Sequence, residues 1–149
     1  MNRSDLLALA DRVEAADGPE RELDRAVARF VGWHRVEPRF TRNKHGAWIA
    51  PGDFLGTYSG GSPILDSLHG TDMHREVPPF TASLDAAMTL VPEGWDWAAG
   101  SAQDGCGGHA FMRRVGHLGR PIDVDVDAAA PALALTAACL RARASAEAE

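Results

Sequence analysis

The stretch PIDVDVDAAAPALALTAACLRARA, residues 121–144, changes its hydrophobic period at one proline. Residues 121–128 alternate between apolar and acidic side chains, which predicts a strand with one buried and one wet face. The predicted buried face consists of Ile122, Val124 and Val126. The predicted wet face consists of Asp123, Asp125 and Asp127. Pro131 then suits the first turn of a helix. The face of this helix predicted to be buried consists of Leu133, Ala137, Leu140 and Ala144.

Two more strands are predicted upstream. Trp95 and Trp97 alternate with Asp96 and Ala98, and GGHAFMRRVG at 107–116 has strand-forming composition. Short glycine-containing turns join these strands, so an antiparallel sheet is the simplest arrangement. With helices before and after it, the sheet predicts the α+β class.

Three helices are predicted ahead of the sheet. Ser4 is a plausible N-cap for a helix ending near Ala16, and Pro19 suits the first turn of a second helix that Gly32 stops. Thr81 or Ser83 can cap a third helix, which Pro92 ends. The residues expected to be buried in the third helix are Leu84, Ala87, Met88 and Val91.

Residues 36–79 are rich in glycine and proline, so long regular elements are not expected there. AWIA at 47–50 fits a short strand and PILDSL at 63–68 a helical turn. We therefore expect residues 1–149 to form a single domain with an irregular insert at 36–79. Long irregular inserts in compact domains are usually functional.

The composition restricts the classes of partner. The net charge of -6 gives no overall positive field for nucleic acid or an anionic membrane. The first residues, MNRSDLLALADRVEAADG, interleave acidic and apolar side chains, and no apolar run reaches membrane-spanning length. We expect a cytoplasmic protein with no membrane partner.

Three stretches together resemble the phage ABA sandwich domain family. They are GPERELDRAVARFVGW at 18–33, FTASLDAAMTLVPEGWDW at 80–97 and PALALTAACLRARA at 131–144. The similarity covers residues 4–35 and 80–144 and leaves 36–79 outside. It implies an α/β/α sandwich, with a small sheet between helices, and a phage or prophage origin. It carries over no catalytic residue.

The acidic face at Asp123, Asp125 and Asp127 is a candidate cation site, because carboxylates bind Mg²⁺ or Ca²⁺. Alternate strand residues lie about 6.6 to 7 Å apart, which is too far for easy sharing of one ion. A solvated face, or ion pairs with Arg113 and Arg114, is the favoured interpretation.

The histidines and cysteines form incomplete sets. His69 and His74 with Asp72, and Cys106 and His109 with His117, match no complete zinc spacing. The two cysteines, Cys106 and Cys139, are predicted to be free thiols. No metal or cofactor is therefore predicted.

Catalytic motifs are also incomplete. Cys106, His109 and Asp104 are close in sequence, but no nucleophile motif surrounds them. YSGGSP at 58–63 lacks the residues that complete a phosphate loop. The helix–strand–strand–strand–helix order is also that of a double-stranded-RNA-binding domain, but the final helix has no lysine cluster, so RNA binding is a minor alternative.

We expect a non-enzymatic accessory protein that binds a host or phage protein through residues 36–79. Inhibition of a bacterial defence system and a structural role in a phage would both fit. The predicted contact residues are Arg39, Phe40, Arg42, Lys44 and Trp48, with Trp48 as the exposed anchor. The alternatives are a small-molecule or nucleotide binder using the glycine-rich segment 59–62 and nearby arginines, and a metal-dependent enzyme using the aspartates. A homodimer is plausible because sheet edges are exposed.

Overall fold

The computed structural model describes residues 2–38, 44–52, 73–116 and 119–146. The chain divides into two compact units, Met1–Val27 with Pro79–Glu149, and Ala28–Pro78. Every helix among the described residues is too short or too polar to cross a membrane. Unit 1 contains α1 (Arg3–Glu14), α3 (Leu84–Met88), β4 (Asp96–Ser101), β5 (Gly108–Val115), β6 (Pro121–Ala128) and α4 (Pro131–Ala146). Unit 2 contains β1 (His34–Val36), β2 (Ala47–Ile49) and β3 (Met73–His74), and the two units share α2 (Arg21–Phe30).

The sheet of unit 1 has the predicted strands in the predicted sequence. Its order is β4-β5-β6, and both pairings are antiparallel. In this register Met112 pairs with Trp97 and Val124, while Ala110 pairs with Val126. These side chains share the inner face, and the alternate positions of β6 are exposed as expected.

Helix α4 is the centre of unit 1. Eleven of its sixteen residues are buried, because it contacts all three strands as well as α1 and α3. A helix that is apolar on every side is suited to this position, and its alanines allow close packing. The α+β class is confirmed. The burial of α4 extends beyond the predicted face of Leu133, Ala137, Leu140 and Ala144.

The helix caps differ in part from the predictions. Asn2, and not Ser4, caps α1, and it forms a reciprocal capping box with Asp5. Ser83 caps α3 as predicted, accepting the backbone N–H of Ala86 at 3.3 Å. Met88 was expected in the core but is 42% exposed, because α3 has little more than one turn and buries only Ala87 fully.

Thr81 joins the start of α2 to the segment before α3 instead of capping a helix. Its backbone N–H and its hydroxyl both donate to Asp24, at 2.7 and 2.9 Å. Asp24 is buried and also accepts a hydrogen bond from Arg21 at 2.6 Å. A buried carboxylate is tolerated here because three donors satisfy it.

The described part of unit 2 contains three short strands. Strands β1, β2 and β3 form an antiparallel sheet in that order, and β2 confirms the strand predicted at 47–50. Gly46 makes the turn into β2 with φ +74°, where a Cβ would lie 2.4 Å from the Val36 carbonyl oxygen. The helical turn predicted at 63–68 lies outside the described residues.

Candidate functional site

The predicted contact residues have different positions in unit 2. Lys44 is exposed in the turn before β2. Trp48 is 0% exposed, so its prediction as an exposed anchor is wrong. All three residues of β2 are buried, which leaves no wet face for the indole. Arg39, Phe40 and Arg42 lie outside the described residues, and so does the glycine-rich segment 59–62.

Two arginines sit over the Trp48 ring. The guanidinium carbon of Arg29 is 5.2 Å from the ring centroid, and that of Arg35 is 5.5 Å from it. Both distances are within the range of cation–π attraction. Both arginines are exposed although the ring beneath them is buried. The indole Nε1 is also buried and has no hydrogen-bond partner in the described part of the chain.

Each arginine is positioned by its own element. Arg29 lies in the last turn of α2, where a cation suits the helix dipole. Arg35 is on β1 directly opposite Trp48, and its Nη2 donates to the His45 carbonyl at 2.8 Å. Within the described ranges, no carboxylate forms an ion pair with either guanidinium. Most of their N–H donors are therefore available to a partner.

The cross-strand row that begins with Arg35 and Trp48 continues to β3. Trp48 is directly opposite His74 on β3, and the His74 ring meets Trp33 edge-on with centroids 5.2 Å apart. We call the set Arg29, Arg35, Lys44, Trp48 and His74 the Arg–Trp face. Arg29 was not among the predicted contact residues. It belongs to a strongly amphipathic helix, where its sequence context is that of any solvated helix residue.

The aspartates of β6 are engaged in ion pairs on the outer face of the unit 1 sheet. Asp123 accepts two hydrogen bonds from Arg113, at 2.7 and 2.8 Å. Hydrogen bonding to Arg113 lowers the pKa of Asp123. Asp127 lies 2.9 Å from Nδ1 of His109, and Asp125 lies 3.4 Å from its Nε2.

The ion-pair interpretation of the aspartates is thus confirmed for Arg113, whereas Arg114 lies on the other face of the sheet. Arg114 is opposite Ile122, on the inner side of the sheet, with its guanidinium carbon 5.4 Å from the Trp95 ring centroid. Among the described residues, no three His, Cys, Asp or Glu side chains are grouped so that they could hold a metal ion.

Cys106, His109 and Asp104 line one surface groove of about 520 Å³, together with Asp127. The backbone N–H of Cys106 donates to Asp104 at 3.0 Å. Both ring nitrogens of His109 face carboxylates. The thiol–imidazole pair that a cysteine hydrolase needs is therefore not formed.

The two cysteines should differ sharply in reactivity. Burial raises the pKa of Cys139 to about 12, against the opposing charge of Arg143, whereas Cys106 is exposed. The thiolate is the reactive species. We expect Ellman's reagent to titrate one thiol per folded chain rapidly and the second only after unfolding. Cys106→Ser should remove the rapid phase, and two rapid thiols in the wild type would contradict the buried position of Cys139.

No protein-family model, curated protein or solved structure matches this chain. The similarity to the phage ABA sandwich domain family therefore stays a prediction, and the function has to be argued from the residues of the two units themselves.

Proposed function

We propose that this protein is a non-enzymatic binding protein whose Arg–Trp face docks on an acidic surface of another protein. The observation that carries the proposal is the pair Arg29 and Arg35, which are exposed above one buried indole and form no ion pair with a carboxylate of the described residues. The chain as a whole has 21 acidic and 15 basic residues. In a chain with this excess of negative charge, the positively charged face is complementary to an acidic surface.

The physical chemistry of interfaces supports this face over other surfaces. Arginine is enriched at the centres of protein interfaces because its planar fork binds carboxylates in pairs and stacks on aromatic rings. Here the stacking partner Trp48 is held in the sheet, so the arginine side chains lose less conformational freedom on binding. By contrast, Arg113 on the outer face of unit 1 is already paired with Asp123.

The wider role rests on the sequence. The resemblance to phage proteins motivates a host or phage protein as the partner, in the bacterial cytoplasm, with inhibition of a defence system as one such role. Arg39, Phe40 and Arg42 belong to the same basic stretch of sequence, 35–45, and stay predicted contact residues. A homodimer is compatible with this account.

Charge reversal tests the proposal. Lysate proteins captured by the immobilised wild type are identified and purified, and their affinities are measured for the wild type and for Arg29→Glu/Arg35→Glu. We expect the double variant to bind at least about thirtyfold more weakly, and wild-type binding to weaken as salt rises.

The matched control is Arg3→Glu/Arg120→Glu, which changes the net charge equally at two exposed arginines of unit 1. It should retain binding. Equal loss in both double variants would show a general charge effect, and full retention by Arg29→Glu/Arg35→Glu would remove the Arg–Trp face as the docking surface. Either result would overturn the proposal.

A further inference from the structure

The two arginines of the Arg–Trp face lie over the same indole. Both guanidinium carbons lie within 5.5 Å of the Trp48 ring centroid, so they cannot be more than twice that distance apart. Like charges repel each other, with a strength that depends on their separation and on the local dielectric. An anion in contact with both guanidinium groups would offset that repulsion and accept hydrogen bonds from their N–H groups.

The Arg29 and Arg35 side chains are also positioned before any ligand binds. The carbonyl of His45 fixes one end of the Arg35 guanidinium, and the buried ring of Trp48 supports both arginines. A fork fixed in this way forms paired, charge-assisted N–H···O bonds of about 2.8 Å with carboxylate or phosphate oxygens. Lys44, which precedes His45, adds a further exposed cation.

Two acidic residues are present in the described part of unit 2, Glu37 and Glu76. Glu37 follows β1 directly and is exposed, and it forms no ion pair with Arg29 or Arg35 in the part of the chain that the structure describes. The described ion pairs of unit 1 show the contrast: Arg21, Arg25, Arg113 and Arg141 each meet a carboxylate.

We propose that Arg29 and Arg35, held on the Trp48 indole, form an oxyanion-binding site that recognises clustered phosphate or carboxylate oxygens on the protein partner. The identity of the partner rests on the proposed function, whereas anion binding itself can be measured without it. A compound with two linked oxyanions suits the site, because it can meet both guanidinium groups at once.

The test is a titration of the ¹⁵N-labelled protein with sodium pyrophosphate and, separately, with citrate, at constant ionic strength set by chloride. The Nε–H signals of Arg29 and Arg35 and the indole signal of Trp48 are followed by NMR. We expect saturable shifts of these signals with at least one of the two anions. Saturation with pyrophosphate alone would identify phosphate as the group recognised, and saturation with citrate alone would identify carboxylate.

Variants separate this site from general charge effects. Arg29→Gln should weaken anion binding at least about tenfold, as expected for loss of a charge-assisted hydrogen-bond pair. The Arg29 side chain forms no hydrogen bond within the described residues, so this variant should fold like the wild type. Arg120→Gln, at an exposed arginine of unit 1, should bind as the wild type does.

Two results would overturn the inference. One is the absence of saturable shifts with both anions, and the other is equal affinity in Arg29→Gln and the wild type. Saturable anion binding together with failure to capture any partner would preserve the oxyanion site and remove the proposed protein docking. The two proposals can therefore fail separately.

Discussion

Gly108→Ala is expected to destabilise the protein by about 3 kcal/mol or more, the range of severe overpacking in a core. Gly108 is buried at the start of β5, against the first turn of α4. A Cβ on it would lie 2.1 Å from the nitrogen of Pro131 and 2.2 Å from the carbonyl carbon of Ala130. Both are backbone atoms, so no side-chain rotation relieves the overlap. The substitution has to move α4 away from the sheet.

Thermal unfolding followed by circular dichroism measures this effect. A domain of this size loses about 2 to 4 °C in Tm per kcal/mol, so we expect a fall of about 10 °C. Gly100→Ala is the matched control, because Gly100 is in the neighbouring strand and a Cβ on it would have no atom within 4 Å. The control should change stability by less than about 1 kcal/mol. Similar melting of the two variants would contradict the packing of β5 on α4.

Trp48→Ala is expected to disrupt unit 2 at a cost of about 3 to 5 kcal/mol, as for other buried aromatic side chains replaced by alanine. The side chain is fully buried and supports Arg29 and Arg35. Its removal leaves a cavity and frees both guanidiniums. Hydrogen exchange at the backbone amides of β1 and β2 should become faster, because the sheet opens more often.

Trp33→Ala is the comparison for Trp48→Ala. Trp33 is half-buried and contacts His74 edge-on, so its removal should cost less than that of Trp48. Unchanged amide exchange in Trp48→Ala would contradict the central position of the indole in the sheet. Because Trp48 is buried, a loss of partner binding in Trp48→Ala would result from unfolding of unit 2. Partner binding is therefore tested with the arginine variants.

The sequence predicts unit 1 well where a regular period lasts long enough. β6 alternates over eight residues, and the change of pattern at Pro131 correctly separates it from α4. β4 and β5 follow from the same period. The extent to which α4 is buried could not be predicted, because its alanines are compatible with burial on one face or on all faces.

Unit 2 was harder to predict because its strands have only two or three residues. Such short elements have no measurable period, and their stability depends on cross-strand pairing. Local sequence alone indicates neither that Trp48 points into the interior nor that Arg29, nineteen positions earlier on a helix, lies over its ring.

The most direct test of the Arg–Trp face as the docking surface is hydrogen–deuterium exchange of the chain, alone and bound to the purified captured partner. We predict protection in β1, in β2 and in the last turn of α2 around Arg29. The outer face of β5 and β6 should exchange equally in both states. Protection confined to β5 and β6, with β1 and β2 unchanged, would contradict the account and place the interface on unit 1.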